Sequence, residues 1–188
     1  MSVVSSKASL YGNIEIGENV RIDDFCILTG NIKIGNNIHI GCFSFFSGGY
    51  GIELEDYAQI APRTTILSAS DDYMGNSLVG PQVPDEFKPR LKTGKVLLKR
   101  HVLIGAHSIV MPGVTLGEGV SVGALSFVNR SLDPWTVYCG IPARRIRTRS
   151  QDMLELEEAF SRQQKKKGWT DYETWKASRK TKDLIKED

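Results

Sequence analysis

Cysteine is scarce in this chain of 188 residues: Cys26, Cys42 and Cys139 are odd in number and unpatterned. They indicate neither a disulfide framework nor a zinc cluster. Histidine is as rare, at His39, His101 and His107. An excess of one charge is also missing. With 24 basic against 22 acidic side chains, the net +2 is too small for a nucleic-acid footprint, although Arg144, Arg145, Arg147, Arg149 and Lys165 to Lys167 crowd the end of the chain. No apolar run is long enough to span a bilayer, and MSVVSSKASLYG lacks the continuous apolar stretch of a signal peptide. The expectation is a soluble cytoplasmic protein. Glycine outnumbers proline 18 to 7, but without a G-x-y period, which excludes collagen. What is present is 40% hydrophobic and 24% charged, enough for a core and too balanced for a disordered tail. The length suits one compact unit with a short appendage.

The core residues recur every six positions: Leu10, Ile16, Ile22, Leu28, Ile34, Ile40 and Phe46. A second aliphatic often stands two residues earlier, as at Ile14, Val20, Ile32 and Ile38. After a two-residue slip at Ser47 to Tyr50 the register resumes at Leu54, Ile60 and Ile66, and later at Leu98, Ile104, Val110, Leu116, Val122 and Val128. Neither a helical period nor simple alternation keeps such a register. A coil with three short straight sides does, each side supplying one inward aliphatic. Glycines such as Gly17, Gly35, Gly41, Gly105, Gly117 and Gly123 would free the corners, for positive φ or for close approach. Such coils stack as parallel strands, and no single coil buries its own core. The fold expected is an all-β solenoid.

Residues 67–95 break the period with glycines and prolines and read as a long projecting loop, the kind that is usually functional. From Ser150 the pattern turns helical, with Ser150 as N-cap and Met153, Leu156 and Phe160 on one face. A second helix is expected at Thr170, with Glu173 completing a capping box and Trp169, Tyr172 and Trp175 packing it down. These helices would close the open end of the solenoid or pack between subunits. The division expected is a solenoid over 1–147, carrying the loop, and a helical extension over 148–188.

The run VLLKRHVLIGAHSIVMPGVTLGEGVSVGALSFVNRSLDPWTVYCGIPARRIR ends in a G-x-P-A-[KR]-x-[IV] signature at Gly140 to Ile146. With the hexads before it, this resembles the hexapeptide-repeat acyltransferases of the left-handed parallel β-helix class, which include galactoside, maltose and serine acetyltransferases. The likeness covers roughly residues 1–147. It implies a homotrimer that binds acyl-CoA, here acetyl-CoA, in the groove between neighbouring solenoids, with no metal. It also implies roles for single positions. The Ala106 N–H would face the thioester carbonyl, and Ala124, one coil later, would contact the pantetheine arm. Asn129 and Arg130 would lie near the nucleotide end of the cofactor. Arg144 and Arg147 would meet its phosphates, as guanidinium groups do well.

One departure from that family concerns the catalytic base. Galactoside-type enzymes carry a histidine in a segment L-S-x-x-x-H, whereas this chain reads Leu67-Ser68-Ala69-Ser70-Asp71-Asp72-Tyr73. Asp72 stands in the histidine's place, with Asp71 beside it; two aspartates opening a loop also suit a turn or cap. His101, just ahead of the resumed coils, is the other candidate base. An unperturbed aspartate, with a pKa of about 3.9, is a poor base towards a hydroxyl, but an amine needs only orientation and a proton acceptor. The carboxylate pair therefore favours N-acylation. The loop SASDDYMGNSLVGPQVPDEF also resembles a subgroup from surface-polysaccharide pathways that acylates dTDP-4-amino-4,6-dideoxyglucose. The expected activity is acetyl transfer to the amine of a nucleotide-linked deoxyamino sugar in O-antigen assembly, with Tyr73, Phe45 and Phe46 on the acceptor side. The alternatives are O-acetylation of a sugar hydroxyl and, more distantly, a carbonic anhydrase or a non-catalytic solenoid. His101 and His107, one triangular side apart, point in different directions, which speaks against a zinc site.

Overall fold

The structure is a computed structural model that describes residues 2–167. The hexad aliphatics form the interior of a parallel β-helix of about eight turns. Ile22, Leu28, Ile34, Ile40, Phe46 and their counterparts through Val128 are all at most 2% exposed, each contributing roughly 1.5–3 kcal/mol by burial. Leu10, Ile14 and Ile16 end the stack and are only partly buried. On one flank Val3–Val4, Arg21–Ile22, His39–Ile40, Gln59–Ile60, Leu103–Ile104, Ser121–Val122 and Thr136–Cys139 pair in parallel, coil upon coil. The antiparallel strand Arg144–Thr148 then turns back along the last of them.

Three corners separate the sides, and two are built the same way. At one, Asn19, Asn37, Tyr57, His101 and Trp135 take φ between +50° and +63°; at the next, Phe25, Phe43, Arg63, His107 and Leu125 lie at about +60°. We refer to these as the His101 corner and the Ala106 corner. The third, the glycine corner, holds Gly12, Gly30, Gly51 and Gly113 at positive φ. The sequence reading is half right about the glycines. Gly17, Gly35, Gly41, Gly105, Gly117 and Gly123 are absent from the positive-φ positions; they are needed because neighbouring coils come too close for a side chain. A Cβ on Gly105 would sit 2.4 Å from the Ala124 nitrogen. The bulkier residues in the left-handed positions from Asn37 onward donate their N–H to the preceding coil, as His101 does to Asp56 (3.2 Å) and Leu125 to Ala106 (2.9 Å). These bonds offset the ~1–2 kcal/mol cost of that conformation.

Beneath the Ala106 corner a buried column of Cys26, Ser44, Thr64, Ser108 and Ser126 runs inside the coils. Its hydroxyls are satisfied by backbone carbonyls, Ser44 by Gly41 (2.7 Å), Thr64 by Ala61 (2.8 Å) and Ser126 by Gly123 (2.7 Å), so their burial leaves no polar group unpaired. The two-residue slip is a bulge at the glycine corner, where pairing passes from Gly30 with Gly48 to Ile32 with Ile52.

The insert leaves at that same corner, after the strand Thr65–Leu67. At its base Ala69–Ser70 pairs antiparallel with Lys92–Thr93, and a short 3-10 turn spans Asp85–Phe87. It returns where the Gly94 N–H donates to Ser68 (3.0 Å). Val96–Leu98 then pairs with Ile52–Leu54.

The helix Met153–Lys167 follows the last strand, with the Ser150 hydroxyl accepting from the Asp152 N–H (3.1 Å). It runs lengthwise along the His101 corner, not across the end of the stack. Met153 and Phe160 are half-buried, but Leu156 is 69% exposed, so the three do not share a buried face. The inward position belongs to Glu157. The second helix expected from Thr170, with Glu173 and the packing of Trp169, Tyr172 and Trp175, lies outside the described residues.

Candidate active site

The Ala106 corner carries backbone donors with nothing to bind. Neither the Ala106 N–H nor the Ala124 N–H donates a hydrogen bond among the described residues. They lie one coil apart, about 4.8 Å, on a partly exposed edge. Pro62 holds the equivalent place one coil earlier and has no N–H, so the pair of donors ends there. Beyond Ala124 the corner continues to Gly140, and the chain turns back through the exposed Arg144 and Arg147. One corner thus offers two donors and, at its C-terminal end beside Cys139, the cation Arg144, without a carboxylate partner among the described residues, while Arg147 lies beside Val137, further along the side toward the His101 corner.

The other expected residues are elsewhere. Asn129 and Arg130 follow the strand Phe127–Val128, one side away from Ala124 and next to the glycine corner. Asp71, Asp72 and Tyr73 open the insert at the glycine corner. About six residues of extended chain, roughly 20 Å at ~3.3 Å each, separate Arg63 from Ala69 along that side. In one chain the insert and the free donors therefore stand at opposite ends of a side.

The two aspartates differ. Asp72 is a turn cap, its carboxylate accepting from the backbone N–H groups of Met74 (3.0 Å) and Asn76 (2.6 Å). The Met74 N–H holds its carboxyl below the usual range against a desolvation cost, with Asn76, the Arg90 charge and Ser77 adding to the effect. A carboxylate so held is a weaker base than a free one. Asp71 is less engaged: Oδ2 accepts from Gly80 N–H (3.2 Å), and Oδ1 carries no hydrogen bond among the described residues. Tyr73 is 87% exposed on the insert.

The placement of His101 suits packing more than proton transfer. It is 3% exposed, stacked on Tyr57 at 5.2 Å and tilted against Trp135 at 6.2 Å. Its Nε2 lies 2.8 Å from a Glu157 carboxylate oxygen, an ion-pair distance without hydrogen-bond alignment, and Nδ1 is unpartnered. Arg149 donates to the His101 carbonyl (2.8 Å). His101 thus docks the helix and lies away from both the donors and the insert. Phe46 also differs from its expected place on the acceptor side. As a hexad residue it points inward and is fully buried, whereas its neighbour Phe45 points outward and is 38% exposed.

Two residues at the Ala106 corner were missed by the sequence reading. His107, weighed there only against a zinc site, is exposed beside the Ala106 donor. Arg63 is exposed one coil further toward the N-terminus, its guanidinium 5.1 Å from the Phe43 ring centre. Their signal was positional: both fall in the left-handed turn position of one corner, which hexad counting does not distinguish. His39 pairs with Asp23 at 2.7 Å, on a different face.

Comparison with known proteins fits this geometry. Residues 13–48 match the family model described as bacterial transferase hexapeptide (six repeats). The dTDP-4-amino-4,6-dideoxy-D-glucose acyltransferase of Escherichia coli is 45% identical over 162 residues, covering 84% of each chain. The chain belongs to the hexapeptide-repeat acyltransferases. Its structure is also similar to that of AntD, an N-acyltransferase from Bacillus cereus solved with dTDP and 3-hydroxybutyryl-CoA, with TM-score 0.85 and 50% identity over 87% of this chain and 88% of that one. AntD has also been solved, as a serine variant, with dTDP-4-amino-4,6-dideoxyglucose and coenzyme A. The galactoside O-acetyltransferase of Escherichia coli K12 is 30% identical over 52% of this chain and 44% of its own length, a likeness confined to part of each. The N-acyltransferase matches cover 84% and 87% of this chain, and this acyltransferase chain is acyl-CoA-dependent.

Proposed function

We propose that this acyltransferase moves an acetyl group from acetyl-CoA to the 4-amine of dTDP-4-amino-4,6-dideoxyglucose, or of a close dTDP-linked amino sugar, supplying surface-polysaccharide assembly in the cytoplasm. The observation that carries the reading is the unpartnered Ala106 N–H, on a corner flanked by arginines, in a chain 45% identical to an acyltransferase of that sugar. Acyl-CoA lies along the Ala106 corner with its phosphates toward Arg144 and Arg147, its pantetheine arm at Ala124, and Asn129 and Arg130 meeting its nucleotide end from a neighbouring copy. The neutral amine attacks the thioester carbon. The N–C bond forms while the Ala106 N–H donates to the developing oxyanion. The C–S bond then breaks, and the proton lost by nitrogen passes to the departing sulfur.

The insert must reach this corner from another chain, because its own donors are a full side away. A homotrimer supplies that arrangement, and the outward apolar residues Ile27, Phe45 and Ile109 along the intervening side suit burial between copies. In it Asp71, with a free carboxylate oxygen, anchors the amine and relays its proton, Asp72 shapes the turn that presents Asp71, and Tyr73 walls the sugar.

Thiol release from acetyl-CoA with dTDP-4-amino-4,6-dideoxyglucose and with its 4-hydroxy counterpart tests the reading. Turnover confined to the amine is expected. Turnover with the hydroxyl compound alone would overturn N-acylation in favour of O-acetylation. A parallel assay with 3-hydroxybutyryl-CoA separates acyl-chain length from acceptor choice.

A further inference from the structure

Resting on that proposed activity, we infer that Arg63 is the diphosphate anchor of the acceptor site, and that the ring edges of Phe43 and Phe25 beyond it receive the nucleoside.

The direction of approach follows from the corner. Acyl-CoA occupies the Ala106 corner from the thioester level at Ala106 toward the C-terminal coils, where Arg144 and Arg147 lie. The acceptor amine must meet the thioester carbon at Ala106, so the rest of a nucleotide sugar extends the other way, over the N-terminal coils. The first side chain on that path is Arg63. His107 donates its N–H to Pro62 (3.1 Å), and Arg63 donates its own to Cys42 (2.9 Å), which fixes Arg63 one coil below His107. A pyranose ring holds its C4 nitrogen and its anomeric oxygen about one coil spacing apart, ~4.8 Å, and the phosphate follows one bond beyond. A sugar whose amine reaches the Ala106 level therefore sets its diphosphate at Arg63.

Arg63 is suited to the task and has no other. It is exposed and has no carboxylate partner or side-chain hydrogen bond among the described residues. Among the described residues its guanidinium sits over the Phe43 ring, a cation–π pairing that orients it and leaves its N–H groups free. Lys7, the other cation of this corner, is by contrast paired with Asp24 at 2.9 Å. Between the two cations Phe43 and Phe25 stack on each other at 5.0 Å. Their faces are taken by each other and by the cations, so the half-exposed ring edges meet a pyrimidine edge-to-face. The order along the corner is then acyl donor, amine, diphosphate and base.

The test compares wild type with Arg63→Ala and Arg63→Gln in calorimetric titration with dTDP and in kinetics with two acceptors. One acceptor is dTDP-4-amino-4,6-dideoxyglucose, the other the phosphate-free methyl glycoside of the same amino sugar. Loss of a charge-assisted anchor weakens dTDP binding and raises KM for the dTDP-sugar about ten- to hundredfold. KM for acetyl-CoA stays put, and with the methyl glycoside variant and wild type come within about twofold. Arg63→Gln keeps the stem over Phe43, so equal losses in both variants assign the effect to charge. Unchanged dTDP affinity in the variants, or an equal rise in KM for acetyl-CoA, overturns the role of Arg63. If wild type itself neither binds dTDP nor acylates the dTDP-sugar, the substrate reading fails and this inference falls with it.

Discussion

Neighbouring residues in this chain do opposite things. Phe45 and Phe46 were both read from the sequence as acceptor-side aromatics, yet the outward and inward alternation of a strand sends one to the surface and buries the other completely. Phe46→Ala should cost about 3–5 kcal/mol, seen as a lowered denaturation midpoint. Asp71 and Asp72 divide in the same manner. Asp72 is held below the usual carboxylate range by the Met74 N–H first of all, so it favours the folded insert above the unfolded pKa and loses that effect only as pH falls through its depressed folded pKa. A pH–rate profile between 5 and 9 should then contain no limb that Asp72→Asn removes. Asp71→Asn should lower kcat at least tenfold with KM for acetyl-CoA unchanged; full activity in that variant would remove Asp71 from the chemistry. Sequence alone could not make this distinction, since spacing put Asp72 in the histidine's place and only the turn geometry shows which carboxylate is occupied.

At the scale of elements, the solenoid was fully legible because its signal repeats. Every hexad aliphatic from Ile22 to Val128 is inside, and one mistaken position could not shift the register. The helix was legible in its start and not in its inward face. Leu156 looked buried by spacing, but what the His101 corner presents is a cation and an imidazole, so Glu157 turns inward to meet Arg100 at 2.6 Å and His101 at 2.8 Å. Glu157→Leu, which removes both pairings and leaves the imidazole buried, should loosen the helix, raising hydrogen exchange across Met153–Gln164 at least tenfold while the coils stay protected. Unaltered exchange would show that apolar packing by Met153 and Phe160 suffices. The same geometry explains why His101 read as a candidate base: a histidine opening a run of coils looks available until the helix laid over it is known.

For the whole molecule, the donors and the insert of one chain stand at opposite ends of a side, so the proposed trimer makes association part of the chemistry. Ile109→Asp places a charge on the outward apolar side, and it should lower the mass measured by light scattering and abolish acyl transfer together. A variant that is monomeric yet fully active would overturn the shared site. Mixing Asp71→Asn chains with Arg63→Ala chains under conditions of subunit exchange should raise the activity at low dTDP-sugar concentration above that of either variant alone, because some grooves then receive both intact residues. What the sequence could not show here is distance: residues forty positions apart can share a corner, while residues eight apart stand at opposite ends of a side.

The insert departs and returns at one corner, and the coils pair across it as if it were not there, Ile60 beside Ile104 and Ile66 beside Val110. The stack therefore does not depend on the continuity of the peptide between Ser70 and Lys92. A chain opened at Gly75, with its original ends joined by a linker, should still coil. A protease that nicks the exposed stretch around Met74 should leave two pieces that travel as one until denatured. On the proposed reading, the contacts of the insert to the sugar and the mechanical integrity of the stack are thus encoded in separate stretches of the chain, so one can change in evolution while the other is conserved.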